Sequence, residues 1–235
     1  MNFMFFLLLA LVNFLLISLS YKFFGKKGVI AFIVLSVIAA NIQVNKLVIF
    51  DFFGYEIVAT LGNVMFGGVF LATDLLSEKY GRKTAQGAVH VSIFANVSFV
   101  IVMFIASLFN GIADSSSFNE AIDLFFSLNG GALKAVLVGN VVYFMSQSLD
   151  VYMYQKIKSK FSSYKTLFIR NNGSTLISQF VDSVLVSVGF ALVGIFDWQY
   201  LIDIIITTVL IKYIVALLDT PFLYLMAKIK PLKDE

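Results

Sequence analysis

The chain contains no cysteine, which removes a disulfide framework, a thiol nucleophile and a cysteine-ligated metal. His90 is the single histidine, so a histidine-rich metal site is excluded as well. Charge is scarce: 13% of the 235 residues are charged, where a soluble domain carries about 25%. Met1 to Tyr21 hold no charged side chain, so the basic n-region of a signal peptide is missing, as is a small-residue cleavage site. Phe3–Phe24 therefore reads as a retained first helix. There is no P-loop or other ATP motif, and no loop long enough for an ATPase. The longest polar stretch, Asn110–Gly130, reads as a loop, so no soluble domain separates and residues 1–235 read as one transmembrane domain.

What is abundant is apolar. Sixty per cent of the residues are hydrophobic and mean hydropathy is +0.92, against about 45–50% apolar in soluble domains. Most of the surface must therefore meet lipid. A closed β-barrel would alternate in segments of roughly ten residues. Here the runs are continuous and about 18–25 residues long, which suits helices. The reading is an all-α, polytopic membrane bundle of about seven helices: 3–22, 28–47, 56–78, 85–108, 132–155, 174–196 and 199–227. Each break carries charge, glycine or both: Gly25–Gly28, Asp51–Tyr55, Lys79–Lys83, Asn110–Gly131, Lys156–Asn172 and Asp197-Trp198.

Lysine and arginine orient the bundle. One set of loops holds Lys22, Lys26, Lys27, Lys79, Arg82, Lys83, Lys156, Lys158, Lys160, Lys165, Arg170, Lys228, Lys230 and Lys233, fourteen of the 17 basic residues. The opposite loops hold Lys46 and Lys134, and they are acidic: Asp51, Asp114, Glu120, Asp123 and Asp197. This places the N-terminus outside and the C-terminus in the cytoplasm. Tyr55, Trp198 and Tyr200 then flank the outer interface, and Tyr80, Tyr152, Tyr154 and Tyr164 the inner one. The net charge of +3 follows from this topology. The basic residues are divided among four short loops and form no nucleic-acid patch.

Charged side chains inside hydrocarbon cost about 2.5–3.5 kcal/mol each on insertion scales, so they face an interior, a partner or a water-filled path. The candidates are Asp74, Asp150, Asp182, Lys212 and Asp219, with Glu78 at the inner edge. Helical spacing gathers Asn63, Gly67, Asp74 and Glu78 on one stripe, and Asn140, Tyr143, Gln147, Asp150 and Tyr154 on another. Thr175, Ser178, Gln179 and Asp182 cluster within two turns, and Thr208, Lys212 and Asp219 follow on the last span. Asn41 and Asn45 share a face of the second span, with Gln43 off it. Each helix thus presents a polar stripe inward and an apolar face to lipid. Two readings stand: the groups satisfy one another as structural glue, or they line a polar cavity. His90 reads as structural or interfacial, and Gly67-Gly68 as a site of close helix packing. The tripeptide Gly62-Asn63-Val64 recurs as Gly139-Asn140-Val141, each followed by an inner-half aspartate, compatible with a parallel repeat of helix pairs.

Carboxylates, amides and aromatics without a metal set suit a flat polar heterocycle. An ionised carboxylate only accepts, so it can take two N–H groups of a guanine-like edge. Aromatic faces can stack on the ring, for about 1–3 kcal/mol by analogy with nucleic-acid bases. This chemistry allows that ligand class without selecting it.

Specific motifs then narrow the reading. Leu61-Gly62-Asn63-Val64 is followed by Phe70-Leu71-Ala72-Thr73-Asp74-Leu75-Leu76-Ser77-Glu78-Lys79-Tyr80-Gly81-Arg82-Lys83. A second run is Arg170-Asn171-Asn172-Gly173-Ser174-Thr175-Leu176-Ile177-Ser178-Gln179-Phe180-Val181-Asp182-Ser183. Together with Ala39-Ala40-Asn41-Ile42-Gln43-Val44-Asn45-Lys46, these resemble the queuosine precursor transporter family, also called vitamin uptake transporters. The resemblance runs over about residues 3–228. Ser183 stands where the family often has Thr, both small hydroxyl residues. The resemblance implies uptake of 7-cyano-7-deazaguanine or a related 7-deazaguanine through a bacterial cytoplasmic (inner) membrane, for salvage into tRNA modification. No cofactor is implied, and no direct nucleic-acid binding.

On this reading Asp182 and Gln179, with Ser178 beside them, hold the guanine edge. Asp74 and Glu78, or Asp150, complete the polar wall, and Asn41, Gln43, Asn45, Asn63, Asn140 and Gln147 line the outer part. Lys212 and Asp219 are the candidates for a proton-coupling pair. A homodimer is plausible because seven short helices enclose little space. The alternatives are a substrate-binding membrane subunit of an ATP-driven vitamin importer and an intramembrane aspartate-dependent enzyme. A structural scaffold is the blandest option, and five buried charges weigh against it.

Overall fold

The structure is a computed structural model that describes residues 2–52, 55–110, 117–127 and 131–232. Its first helix, α1, runs over Asn2–Gln43, 42 residues. At 1.5 Å per residue that is about 63 Å, twice the thickness of a bilayer core. The helix does not run straight. Gly25 breaks it at φ 58°, ψ −142°, a conformation open to a residue without a Cβ. The two arms fold back on each other. Asn2 Nδ2 donates to the Ile49 carbonyl at 2.9 Å, and the Phe6 and Phe50 rings lie 5.3 Å apart. The expected spans 3–22 and 28–47 are the arms of this one bent helix.

The chain next forms an antiparallel hairpin, β1 (Leu47–Phe52) with β2 (Tyr55–Thr60), in the register Leu47↔Thr60 to Phe52↔Tyr55. The expected third span, 56–78, thus begins as a strand. Short apolar runs rich in β-branched residues do not distinguish strand from helix by periodicity. The helix proper, α2, covers Gly62–Tyr80.

Nearly every residue of α2 from Gly62 to Ser77 is buried, because it is surrounded by α1 and by three later helices, α3 (Arg82–Ala106), α5 (Gly131–Lys160) and α7 (Leu201–Lys228). It therefore has no lipid face, contrary to the expectation of one polar and one lipid-facing side. Close approach is what the glycines allow. A Cβ at Gly67 would overlap Val215 of α7, and one at Gly68 would overlap the Asn13 amide of α1. Gly67-Gly68 is a packing site, as expected.

Gly81, at φ 82°, turns the chain into α3 (Arg82–Ala106). Within the expected loop Asn110–Gly130 lies a ten-residue helix, α4 (Ser117–Phe126). Phe126 packs edge-on against Phe99 of α3 at 5.9 Å, and this apolar contact gives the short segment a helical face to bury. Asp114 and Lys233 lie outside the described residues. The bundle is completed by α5 (Gly131–Lys160), α6 (Leu167–Leu192) and α7 (Leu201–Lys228). α6 starts seven residues before the expected 174, so Arg170, Asn171 and Asn172 are helical rather than part of a loop.

Among the described residues four helical segments are long and apolar enough to cross a membrane: Asn2–Gln43, Arg82–Ala106, Tyr164–Leu192 and Trp198–Lys228. α2 and α5 are more polar, and their mid-helix polar groups, Asn63, Thr73 and Asp74 on α2 and Asn140, Gln147 and Asp150 on α5, are buried in protein. The architecture is a helical membrane bundle with one small hairpin. The basic segments gather at one end of it. Lys79 Nζ donates to the Ala227 carbonyl at 2.6 Å, Lys158 Nζ to the Glu78 carbonyl at 2.7 Å, and the Leu232 N–H to the Lys22 carbonyl at 2.8 Å. The hairpin sits at the opposite end.

Candidate functional site

A cavity of about 270 Å³ lies at the hairpin end, between α1, the hairpin, α2, α5, α6 and α7. Ligand pockets run from about 300 to 1,000 Å³, so this one suits a compact molecule. Its walls are mainly apolar, with Phe66 and Tyr143 side by side at 6.1 Å between ring centroids. Its polar groups are few. Asn41, Asn45 and Asn63 line the rim side; Asp182, Ser187, Thr208 and Lys212 line the α6–α7 side.

Local structure fixes these groups. Asn41 spends its amide hydrogen on the Val37 carbonyl at 2.8 Å, and Asn45 donates to the Asn41 carbonyl at 3.0 Å. Such back-bonding holds each side chain along its own helix. Among the described residues the buried Asn63 Nδ2 has no partner, so a donor stands unused at the cavity wall. Tyr143 shares a hydrogen bond of 3.0 Å with Ser92 of α3, which pins its ring. Asp182 forms an ion pair with Lys212 through Oδ2, while Oδ1 accepts from Ser146 of α5 at 2.7 Å. Three helices thus converge on one carboxylate. Lys212 therefore pairs with Asp182 and not with Asp219, contrary to the expected coupling pair.

Beneath the cavity is a layer of buried acids. Asp74 of α2 accepts from Thr175 at 3.2 Å, Asp150 of α5 accepts from Ser178 at 2.8 Å, and Asp219 of α7 accepts from Asn171 at 2.9 Å. Asp74 and Asp150 are near enough to interact directly. The two halves of the recurring tripeptide pattern thus meet at their aspartates. Among the described residues no Lys or Arg forms an ion pair with any of the three. Gln147 accepts from Thr73 at 3.0 Å. Gln179 is fully buried, and neither of its amide atoms has a partner among the described residues.

At the basic end Glu78 is fully engaged. Arg170 clamps it with two bonds, Nε to Oε2 at 3.0 Å and Nη2 to Oε1 at 2.9 Å. Tyr154 donates to it at 2.9 Å, and Lys158 lies at 3.2 Å.

The expected site residues therefore divide into levels. Asn41, Asn45, Asn63 and Asp182 come together at the cavity, joined by Lys212. Asp74, Gln147, Asp150, Ser178, Gln179 and Asp219 lie deeper and do not line it. Glu78 belongs to an ion cluster at the basic end. Asn140 does not reach the cavity; its Oδ1 accepts from Asn96 at 2.8 Å, a structural bond. Gln43 also misses it, as its place off the Asn41–Asn45 face implies. His90 lies on the exposed side of α3 and stacks on Phe144 at 5.8 Å, in keeping with a structural or interfacial role. The sequence reading missed the cavity roles of Ser187 and the hairpin residue Thr60, and the anchoring role of Arg170. Arg170 was visible inside the second motif, but its assignment to a loop hid it.

Comparison with known proteins is consistent with this architecture. A family model described as "Putative vitamin uptake transporter" matches residues 60–226. The chain is 38% identical over 228 residues to a Bacillus subtilis (strain 168) protein named "Probable queuosine precursor transporter". That match covers 97% of this chain and 95% of the relative. No solved structure matches. The family is one of transporters and not of enzymes, which removes the intramembrane hydrolase as the reading of the buried aspartates. The chain belongs to the vitamin uptake transporter family, as a multi-pass protein of the bacterial cytoplasmic membrane.

Proposed function

We propose that the protein imports a queuosine precursor, 7-cyano-7-deazaguanine or a related 7-deazaguanine, into the cytoplasm. The observation that carries this reading is the cavity: compact, with aromatic rings in its wall and one partly buried carboxylate paired with a lysine. The relative's name supports the same substrate class. The heterocycle stacks against Phe66 and Tyr143, and Asp182 accepts its ring and amino N–H groups. Asn41, Asn45 and Asn63 meet the remaining polar edge. From there the path runs inward past Gln179, Gln147 and Ser178 and the Asp74, Asp150 and Asp219 layer, and ends at the Glu78 cluster.

The chain crosses the membrane seven times, the arms of α1 counting as two, with the N-terminus outside and the basic end in the cytoplasm. The gathering of the basic segments at one end supports this orientation. The cavity then opens from the outside. Proton coupling, if transport is driven, uses Asp219 with Asp74 and Asp150, since carboxyl chains of this kind serve as proton relays in membranes.

The test is uptake of labelled 7-cyano-7-deazaguanine in cells matched for membrane level. Asp182→Ala is expected to abolish it, and Gln179→Ala to slow it. Wild-type uptake in both variants removes them from the path.

A further inference from the structure

The Asp182–Lys212 pair has an unusual position for structural glue. It lies on the wall of a cavity, its two side chains are 13% and 3% exposed, and it is not saturated. A carboxylate offers about four acceptor positions, and Asp182 uses two, for Lys212 and Ser146. An ammonium offers three donors, and Asp182 is the one partner of Lys212 among the described hydrogen bonds. The pair therefore presents a spare acceptor directly beside a spare donor. Among the described residues no other cation lines the cavity. A purely structural pair in a membrane would be better replaced by packed apolar side chains, which are often as stable as a buried ion pair or more so.

We infer that Lys212 determines substrate specificity by donating to the ring carbonyl of the heterocycle, next to the ring N–H that Asp182 accepts. The occupant class is a lactam flanked by an exocyclic amine, that is, donor, donor, acceptor in a row. The two carboxylate oxygens take the two N–H groups and the ammonium takes the carbonyl. Ser146 fixes the angle of the carboxylate from α5, so the row has a defined direction. This inference rests on the 7-deazaguanine reading and adds to it the residue that reads the oxo group.

A hydrogen bond to a charged group is worth about 1.5–3 kcal/mol, so its loss is expected to change affinity at least tenfold. The experiment measures binding of two ligands to purified protein: 7-deazaguanine and its 6-thio analogue, which keeps both N–H donors but offers a weak sulfur acceptor. Wild type is expected to favour the oxo form at least tenfold. Lys212→Met is expected to bring that ratio to near one, and Lys212→Arg to keep most of it. Asp182→Asn is expected to weaken both ligands while leaving the ratio in place. Should Lys212→Met fail to fold because Asp182 is left unpaired, the double variant Lys212→Met/Asp182→Asn reads the same ratio. Equal binding of the two ligands by wild type overturns the inference, as does an unchanged ratio without Lys212. A merely structural lysine would lower both affinities together. If wild type binds neither ligand, the proposed function itself fails, which is a different result.

Discussion

Arg170 is the strongest single tie between α2 and α6, and its removal has a calculable cost. Its side chain is 1% exposed and makes four bonds: two to Glu78, one to the Phe161 carbonyl at 2.8 Å and one to the Ser163 carbonyl at 2.9 Å. Breaking a buried pair by removing one partner costs about 3–5 kcal/mol. Glu78 is 17% exposed and keeps Tyr154 and Lys158, which favours the lower end of that range. Arg170→Met is thus expected to destabilise the protein by about 3 kcal/mol. Glu78→Gln strands the buried guanidinium and is expected to cost a similar amount. In the double variant neither charge is left stranded, and Lys158, 27% exposed, is solvated. Its loss should then be well below the sum of the singles, with a coupling of about 2–3 kcal/mol.

The assay is denaturant unfolding of the four proteins in detergent, followed by circular dichroism. Arg170→Lys should not restore stability, because an ammonium cannot make the fork to both Glu78 oxygens and still reach the two carbonyls. A loss under about 1 kcal/mol in Arg170→Met, or losses that add within about 0.5 kcal/mol, would refute the clamp.

Other outcomes follow from the same geometry. Gly67→Leu forces α7 away from α2 at Val215; overpacking of this kind costs about 1–3 kcal/mol, read as a lower unfolding midpoint. Asn140→Ala leaves the buried Asn96 amide without its acceptor, costing about 1–3 kcal/mol of stability while ligand affinity stays at the wild-type value. Asn63→Ala is expected to do the reverse, lowering affinity several-fold in a binding titration with little loss of stability, because its Nδ2 has no internal partner. Asp74→Asn with Asp150→Asn is expected to remove any dependence of proteoliposome uptake on an imposed pH gradient; a gradient effect that survives excludes these carboxyls from coupling.

Much of the bundle was legible because lipid imposes long apolar runs, and the basic residues between them mark one end. Charge and glycine together located the turn at Gly25–Gly28, and charge marked the end where Lys79, Lys158 and Lys228 gather. What was not legible had physical reasons. β2 reads as the start of a span because its apolar residues suit either element. Arg170 reads as a loop residue because an arginine ordinarily marks an interface, and only its partner Glu78 shows it inside a helix. At the site, stripe spacing singled out Asn41, Asn45, Asn63 and Asp182, all of which line the cavity, although Asn45 is exposed. It could not tell depth. Asn140 shares a stripe with Gln147 and Asp150, yet a neighbour on α3 consumes it, and no pattern in α5 alone carries that information.

Depth is also what separates a transport path from structural glue. Glue satisfies itself, since a buried polar atom without a partner costs about 1–3 kcal/mol. The Glu78 cluster meets that standard, and so does the Asn96–Asn140 bond at the Asn140 carbonyl. The layer between cavity and cluster does not. Among the described residues both amide atoms of Gln179, Nε2 of Gln147 and one oxygen of Asp219 are buried without partners, while the carboxyls of Asp74 and Asp150 meet each other with no cation beside them. These orphans lie on α5, α6 and α7, helices that also supply cavity walls; further unpartnered polar atoms lie on α1, at Asn13 and Ser36, and on Asn96 of α3. A fold that needed them only for cohesion would gain by closing these bonds or replacing them with apolar groups. On the proposed import reading, retaining them would let a ligand rich in donors and acceptors exchange its hydration for protein contacts as it moves inward. On the proposed import path, the closed Glu78–Arg170 clamp is the end at the basic side, and the unsatisfied layer is where a substrate leaving the cavity would go next.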